Sequence, residues 1–194
     1  MRSSILLLIL LFSISAKAQD YTAIQQKLQS LYETDQRYRI ILDSLVTKEK
    51  LEWNDPQIQK WIPIAQQQDS INLAETRLLL DKYGWLGIDK IGKKANETLF
   101  LIIQHADNTT ILQYFPLLVQ SYEMGQTPAK YYAMMLDRIL SDSGRPQVFG
   151  TQMQMKKVDG KFIPFPIQNE KEVEQRRKKV GLEPLAIYLQ SINK

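Results

Sequence analysis

Residues 21–50 read YTAIQQKLQSLYETDQRYRIILDSLVTKEK. Within them Ile24, Leu28, Leu31, Tyr38, Leu42 and Leu45 recur at intervals of four, three, seven, four and three. One face of an α-helix carries all six, and a strand of period two does not. The interval of seven skips position 35, where Asp35 stands with Arg39 one turn further on. A carboxylate buried alone is costly, so Arg39 or another cation should neutralise it. Such a pair either fixes helix register or belongs to a site, and the periodicity allows both.

Helical signals continue outward from this segment. Asp55-Pro56 reads as an N-cap followed by proline at the first position, opening a short helix to Trp61 that Pro63 interrupts. A further helix is expected over 66–83, ending at Gly84. After the glycine-punctuated stretch to Gly92, a helix from Lys93 carries Ala95, Leu99, Ile102, Ile103 and Ala106 on one face. Asn108 is a candidate cap for the next helix, which runs to Met124 with a kink expected at Pro116. Thr127-Pro128 starts another, through Leu140.

The period then changes to two. Gln147 to Met155 and Lys161 to Ile167 flank Val158-Asp159-Gly160, a hairpin signal. Asn169 with Glu172 reads as a capping box for a helix ending at Gly181, and Pro184 opens a last short helix. The fold class is therefore mainly α, a single helical domain over 19–194 with a C-terminal β-hairpin or small antiparallel sheet.

Composition narrows the chemistry. The 194 residues hold no Cys and one His. Disulfide scaffolds, thiol catalysis and multi-His or Cys metal sites are excluded, and no tight carboxylate cluster suggests a metal. Neither a GxGxxG nor a GxxxxGK[ST] loop is present, so no nucleotide cofactor is indicated. No cofactor of any kind is expected.

The N-terminus reads as an address. Arg2 precedes the apolar run ILLLILLFSI at Ile5–Ile14, too short to span a bilayer and suited to a signal-peptide core. Ala16-Lys17-Ala18 supplies the small residues of a cleavage site, so residues 1–18 are expected to be a signal peptide and the protein exported, to the periplasm or the exterior. An N-terminal membrane anchor is the alternative. Losing Arg2 and Lys17 leaves 23 basic and 21 acidic side chains, which gives no reason to expect nucleic acid or, after cleavage, a membrane as partner. The run Arg176-Arg177-Lys178-Lys179 follows Glu170, Glu172 and Glu174 and reads as a solvated helix face rather than a phosphate patch.

Several polar residues stand out against this background. Asp69 and Asn72, three apart on one helix, face either the cleft of Asp35 or the surface. His105 shares a face with Thr98 and Leu101 and ends its helix. A lone His in a polar cleft is a natural acid or base, and one at a helix C-terminus is also favoured by the dipole alone. Arg138 lies in a last helical turn. In GRPQVFGTQ, residues 144–152, Gln147, Thr151 and Gln152 offer amides and a hydroxyl, either to buried backbone or to a ligand. Trp61 and Trp85 read as core aromatics.

Taken in order, Asp35-Gln36-x-x-Arg39, Tyr83-Gly84-Trp85-x-Gly87, Gln104-His105-Ala106-Asp107, Asp137-Arg138, Gly144-x-Pro146-Gln147-x-Phe149-Gly150-Thr151-Gln152 and Arg176-x-x-x-Val180-Gly181-Leu182-x-Pro184-Leu185 resemble a bacterial family known as domain of unknown function 6624. The resemblance spans residues 24 to 190. It departs at Leu86, where the family pattern has Pro, and at Phe149, where it has Tyr. No activity comes with it. It implies that Asp35, Arg39, His105, Arg138, Gln147, Thr151 and Gln152 meet in space, with Gln104 beside His105.

Two functions fit these residues. One is a non-catalytic ligand-binding or structural module built round a polar cleft, its partner a small molecule or envelope component. The other is a secreted hydrolase. There His105 and Asp35 would be catalytic, as general acid or base and its orienting charge. Arg39 and Arg138 would hold an anionic group, and Asn72, Gln104, Gln147, Thr151 and Gln152 would position it. No nucleophile stands out, which favours attack by water.

Overall fold

In the computed structural model, which describes residues 20–155 and 161–193, the stripe of residues 21–50 is one helix, α1 (Thr22–Thr47). Its buried positions are Leu28, Leu31 and Asp35. The expected leader and the Val158-Asp159-Gly160 turn lie outside the described residues.

Asp55 caps the second helix, α2 (Pro56–Tyr83), by accepting the Gln57 N–H at 2.8 Å. Pro63 does not interrupt it, so the two helices expected over 56–61 and 66–83 are one. A proline removes one N–H and crowds the preceding turn. Here both sides are anchored: Ile58 is buried before it, and Asn72, Thr76 and Leu80 after it. The helices α1 and α2 run antiparallel, because Lys27 pairs with Glu75 at 3.0 Å while the Tyr38 and Trp61 rings lie 6.1 Å apart.

The third helix, α3 (Ile88–His105), carries one break. Gly92 has φ +77°, a conformation L side chains rarely adopt, so the helix body begins at Lys93. The cap of α4 (Asn108–Glu123) is Asp107 rather than Asn108. Asp107 sits in the extended region, as a cap must, and accepts the Thr110 N–H and hydroxyl at 2.9 Å each, whereas Asn108 is already helical. This helix runs through Pro116. In α5 (Ala129–Asp142), Tyr131 stacks on Phe100 of α3 at 4.3 Å.

The C-terminal sheet is smaller than the alternation suggests. Strands β1 (Met153–Met155) and β2 (Phe162–Pro164) pair antiparallel, Met153 opposite Pro164. Residues 147–152 are not part of it. Asn169 is left-handed at φ +43° and caps nothing with its side chain, so the expected capping box is absent. A 3₁₀ turn at Glu170–Glu172 leads instead into α6 (Val173–Lys179), and α7 (Leu185–Ile192) follows Pro184.

The fold is thus mainly α, with seven helices and a two-stranded antiparallel sheet among the described residues. Its main core joins α1 to α5 through Leu28, Leu80, Leu99, Ile103, Tyr114 and Met135. A second, small cluster of Ala133, Phe149 and Val180 ties the C-terminal segment to the other face of α5.

Candidate functional site

The helical period turns Asp35 toward the core, where it is 3% exposed. Four donors surround its carboxylate. Gln36 Nε2 donates to Oδ2 at 2.7 Å, Arg39 Nε to Oδ2 at 3.3 Å and Arg39 Nη2 to Oδ1 at 3.2 Å. His105 Nδ1, from the last residue of α3, lies 3.3 Å from Oδ1. Arg39 Nη2 reaches on to Asp69 Oδ1 of α2 at 2.9 Å. Three helices therefore meet at one ionic chain.

Burial pushes the Asp35 carboxyl up. Hydrogen bonds and charge from His105 and Arg39 outweigh it and hold the group at about 2. An ionised carboxylate only accepts, so the hydrogen-bond network assigns the Nδ1 proton to His105. In the neutral ring Nε2 is then an acceptor, and it has no partner among the described residues.

A cleft of about 450 Å³ opens beside this chain, lined by Asp35, Gln66, Asp69, Ser70, His105 and Asp107, with Leu73 and Ile102 as apolar wall. The His105 side chain is 26% exposed in it. Asp35, Asp69 and Asp107 make the cleft acidic. Arg39, which is not among the lining residues, bridges two of those carboxylates.

Asn72 and Gln104 stand behind the cleft. Asn72 is fully buried between α1 and α2, where Oδ1 accepts from the Thr34 hydroxyl at 2.8 Å and from Gln68 at 3.0 Å. Gln104 is buried, and its Oε1 has no partner. Neither lines the cleft.

Arg138, Gln147, Thr151 and Gln152 lie apart from the cleft, so the single meeting place expected for seven residues divides in two. The organiser of the second group is Asp137, fully buried on α5. It accepts the backbone N–H groups of Val148, Phe149 and Thr151 at 2.7–3.0 Å, and the Thr151 hydroxyl at 3.0 Å. Burial pushes its carboxyl above the usual range, against the donors that pull it down. Gln147, also fully buried, donates to the carbonyls of Gln152 and Phe165 and accepts the Gln152 N–H. Wrapped round these two side chains, residues 147–152 cannot lie flat as a strand. Arg138 faces outward and pairs with Asp142 at 3.3 Å.

The basic run meets expectation only in part: Lys178 and Lys179 are exposed and Arg176 pairs with Glu172 at 3.6 Å, but both arginines also turn to backbone carbonyls. Arg176 donates to the carbonyls of Val148, Gln168 and Asn169. Arg177, 2% exposed, donates to those of Phe149, Gly150 and Glu183. Neither belongs to a solvated face. A trace of this is present in the sequence: Val173, Arg177 and Val180 are spaced four and three, so Arg177 occupies an apolar stripe as Asp35 does.

A family model described as "Family of unknown function (DUF6624)" matches residues 22–194. No curated protein and no solved structure matches the chain.

Proposed function

We propose that this chain, which belongs to the DUF6624 family, is an exported ligand-binding protein of the periplasm or cell exterior. Its ligand occupies the cleft of Asp35, Asp69 and His105. One observation carries the reading: a part-exposed imidazole is held by a buried, ionised carboxylate, with Nε2 left unpartnered. A network serving only to fix helices would have no need of an open cleft at its most polar point. Export rests on the apolar run at Ile5–Ile14 and the Ala16-Lys17-Ala18 site, and no described helix is long and apolar enough to cross a membrane.

A second reading, a hydrolase with His105 as general acid or base, draws on the same contact, because an oriented imidazole with a free acceptor is what proton transfer needs. An anionic substrate has less support. Arg39 is engaged by two carboxylates and Arg138 by Asp142.

The test is a thermal-shift screen of the mature chain against cell-wall fragments, amines, nucleotides and sugar phosphates. A compound that raises the melting temperature of the wild type but not of a folded His105→Ala variant supports the site. Hits that stabilise both proteins equally overturn it. Turnover of a hit, abolished in the same variant, would favour the hydrolase. N-terminal sequencing of the cell-fractionated protein tests export: a chain starting at Gln19 is expected, and a cytosolic chain starting at Met1 overturns it.

A further inference from the structure

Arg177 is the largest fully buried side chain among the described residues, and its charge lacks a direct counter-ion. Nε donates to the Glu183 carbonyl at 2.7 Å, and Nη1 to those of Phe149 and Gly150 at 2.8 and 3.1 Å. Nη2 donates to none of the described residues. Glu174, Glu183 and Asp137 act on the guanidinium through space without forming an ion pair with it. Their carboxylates have other places: Glu174 accepts the Leu185 N–H at 3.0 Å, Asp137 holds residues 148–151, and the Glu183 side chain is exposed.

Arg177 also lines a cleft of about 290 Å³, separate from that of His105. Met134, Leu182 and Tyr188 form its apolar wall, and Lys130 adds a second cation. Lys130 makes no ion pair among the described residues, its ammonium lying 5.3 Å from the Tyr131 ring centre. The Arg177 guanidinium lies over the Tyr188 ring at 5.6 Å, which holds it in place. Gly181, Glu183 and Thr151 complete the lining, and the Thr151 hydroxyl is committed to Asp137.

A buried guanidinium with one nitrogen unpartnered, an exposed ammonium and an apolar wall make a match for one anionic group carried on a small apolar body. We propose that this second cleft binds a small organic carboxylate. Arg177 Nη2 and Lys130 Nζ hold its oxygens, while Met134, Leu182 and Tyr188 surround its hydrocarbon part. A fully hydrated ion such as inorganic phosphate leaves the apolar wall unused and binds more weakly.

The test is a titration of the ¹⁵N-labelled mature chain with benzoate, and separately with inorganic phosphate, followed by amide shifts. Saturable benzoate binding is expected, with the largest shifts at Thr151, Gly181 and Leu182. Lys130→Gln, a change of an exposed side chain, should weaken it about tenfold. Leu182→Trp should abolish it by filling the cleft. Arg177→Lys is avoided as the sole test because Arg177 also supports the backbone of residues 149–150. Absence of saturable shifts, tighter binding of phosphate than of benzoate, equal affinity in Lys130→Gln, or shifts centred on His105 would each overturn the proposal. The last of these leaves the His105 reading intact, so the two sites fail independently.

Discussion

His105 Nδ1 lies 3.3 Å from Asp35 Oδ1, although 70 residues separate them in the chain. The contact joins the middle of α1 to the C-terminal end of α3 and completes the chain that runs through Arg39 to Asp69. Asp35 is its hinge: take that charge away and the donors of Arg39 and His105 lose their common acceptor.

Asp35→Asn is therefore expected to lower stability by about 1–3 kcal/mol. The amide keeps the shape and one acceptor oxygen but presents an NH₂ group to donors. Arg39 retains Asp69, which limits the loss. Urea denaturation of the two proteins at neutral pH measures the difference, and equal midpoints would mean that the ionic chain contributes nothing.

The same residue sets a pH dependence. Its carboxyl is held at about 2 in the folded state, below the ordinary value of an aspartate, by the donors of His105 and Arg39. A depressed carboxyl contributes stability that is fully present above the unfolded value and is lost as pH falls through the folded one. The gap between wild type and Asp35→Asn should be at its full size above pH ~5 and close progressively toward pH ~2. Its share is at most about 2 kcal/mol, since the open cleft screens the pair. Denaturation curves of both proteins across that range check the sign: a gap that widens on acidification contradicts it.

Asp137 should be the less replaceable carboxylate. Asp137→Ala leaves the buried N–H of Phe149, the part-buried N–H groups of Val148 and Thr151, and the Thr151 hydroxyl without their acceptor. A loss of about 3 kcal/mol or more is expected. Hydrogen exchange locates it: the amides of Val148, Phe149 and Thr151 should lose protection first, before those of α3.

Gly150 and Gly144 separate conformation from space. Both have positive φ, +68° and +71°. A Cβ at Gly144 meets nothing within 4 Å, whereas one at Gly150 comes to 2.9 Å from Ile167 Cδ1. Gly144→Ala should cost about 1–2 kcal/mol for the left-handed backbone alone. Gly150→Ala should cost up to about 1 kcal/mol more, because the crowded atom is the free end of the Ile167 side chain. Thermal denaturation of both variants decides, and equal losses would show that Ile167 yields freely.

Thr76 offers a change in the other direction. It is fully buried on α2 and its Oγ1 has no hydrogen-bond partner. Thr76→Val keeps the shape and removes the unpaired hydroxyl, so stability should rise by about 1 kcal/mol. A clear loss in urea denaturation would mean that the hydroxyl is solvated or bonded in solution.

Periodicity alone made much of this fold legible. Apolar intervals of three and four in α1 and α3, proline after Asp55 and Thr127, and glycine after Tyr83 each act within a few residues, so they can be read along the chain. They also marked Asp35, since a charge on an apolar stripe is a local oddity. Pro63 and Asn169 misled because their effects depend on what packs around them: α2 is anchored on both sides of its proline, and the Asn169 carbonyl, not its side chain, is what Arg176 and Glu172 use.

What the tertiary structure alone decided is which polar groups meet. Asp35 and His105 come together because α1 and α3 pack in the main core, while Gln147, Thr151 and Gln152 are drawn to Asp137 by the backbone donors of residues 148–151. Local propensity acts over one or two turns and carries no record of these distances. A buried charge goes wherever the packed helices present enough donors or acceptors to replace its water, and that place exists only once the core has formed.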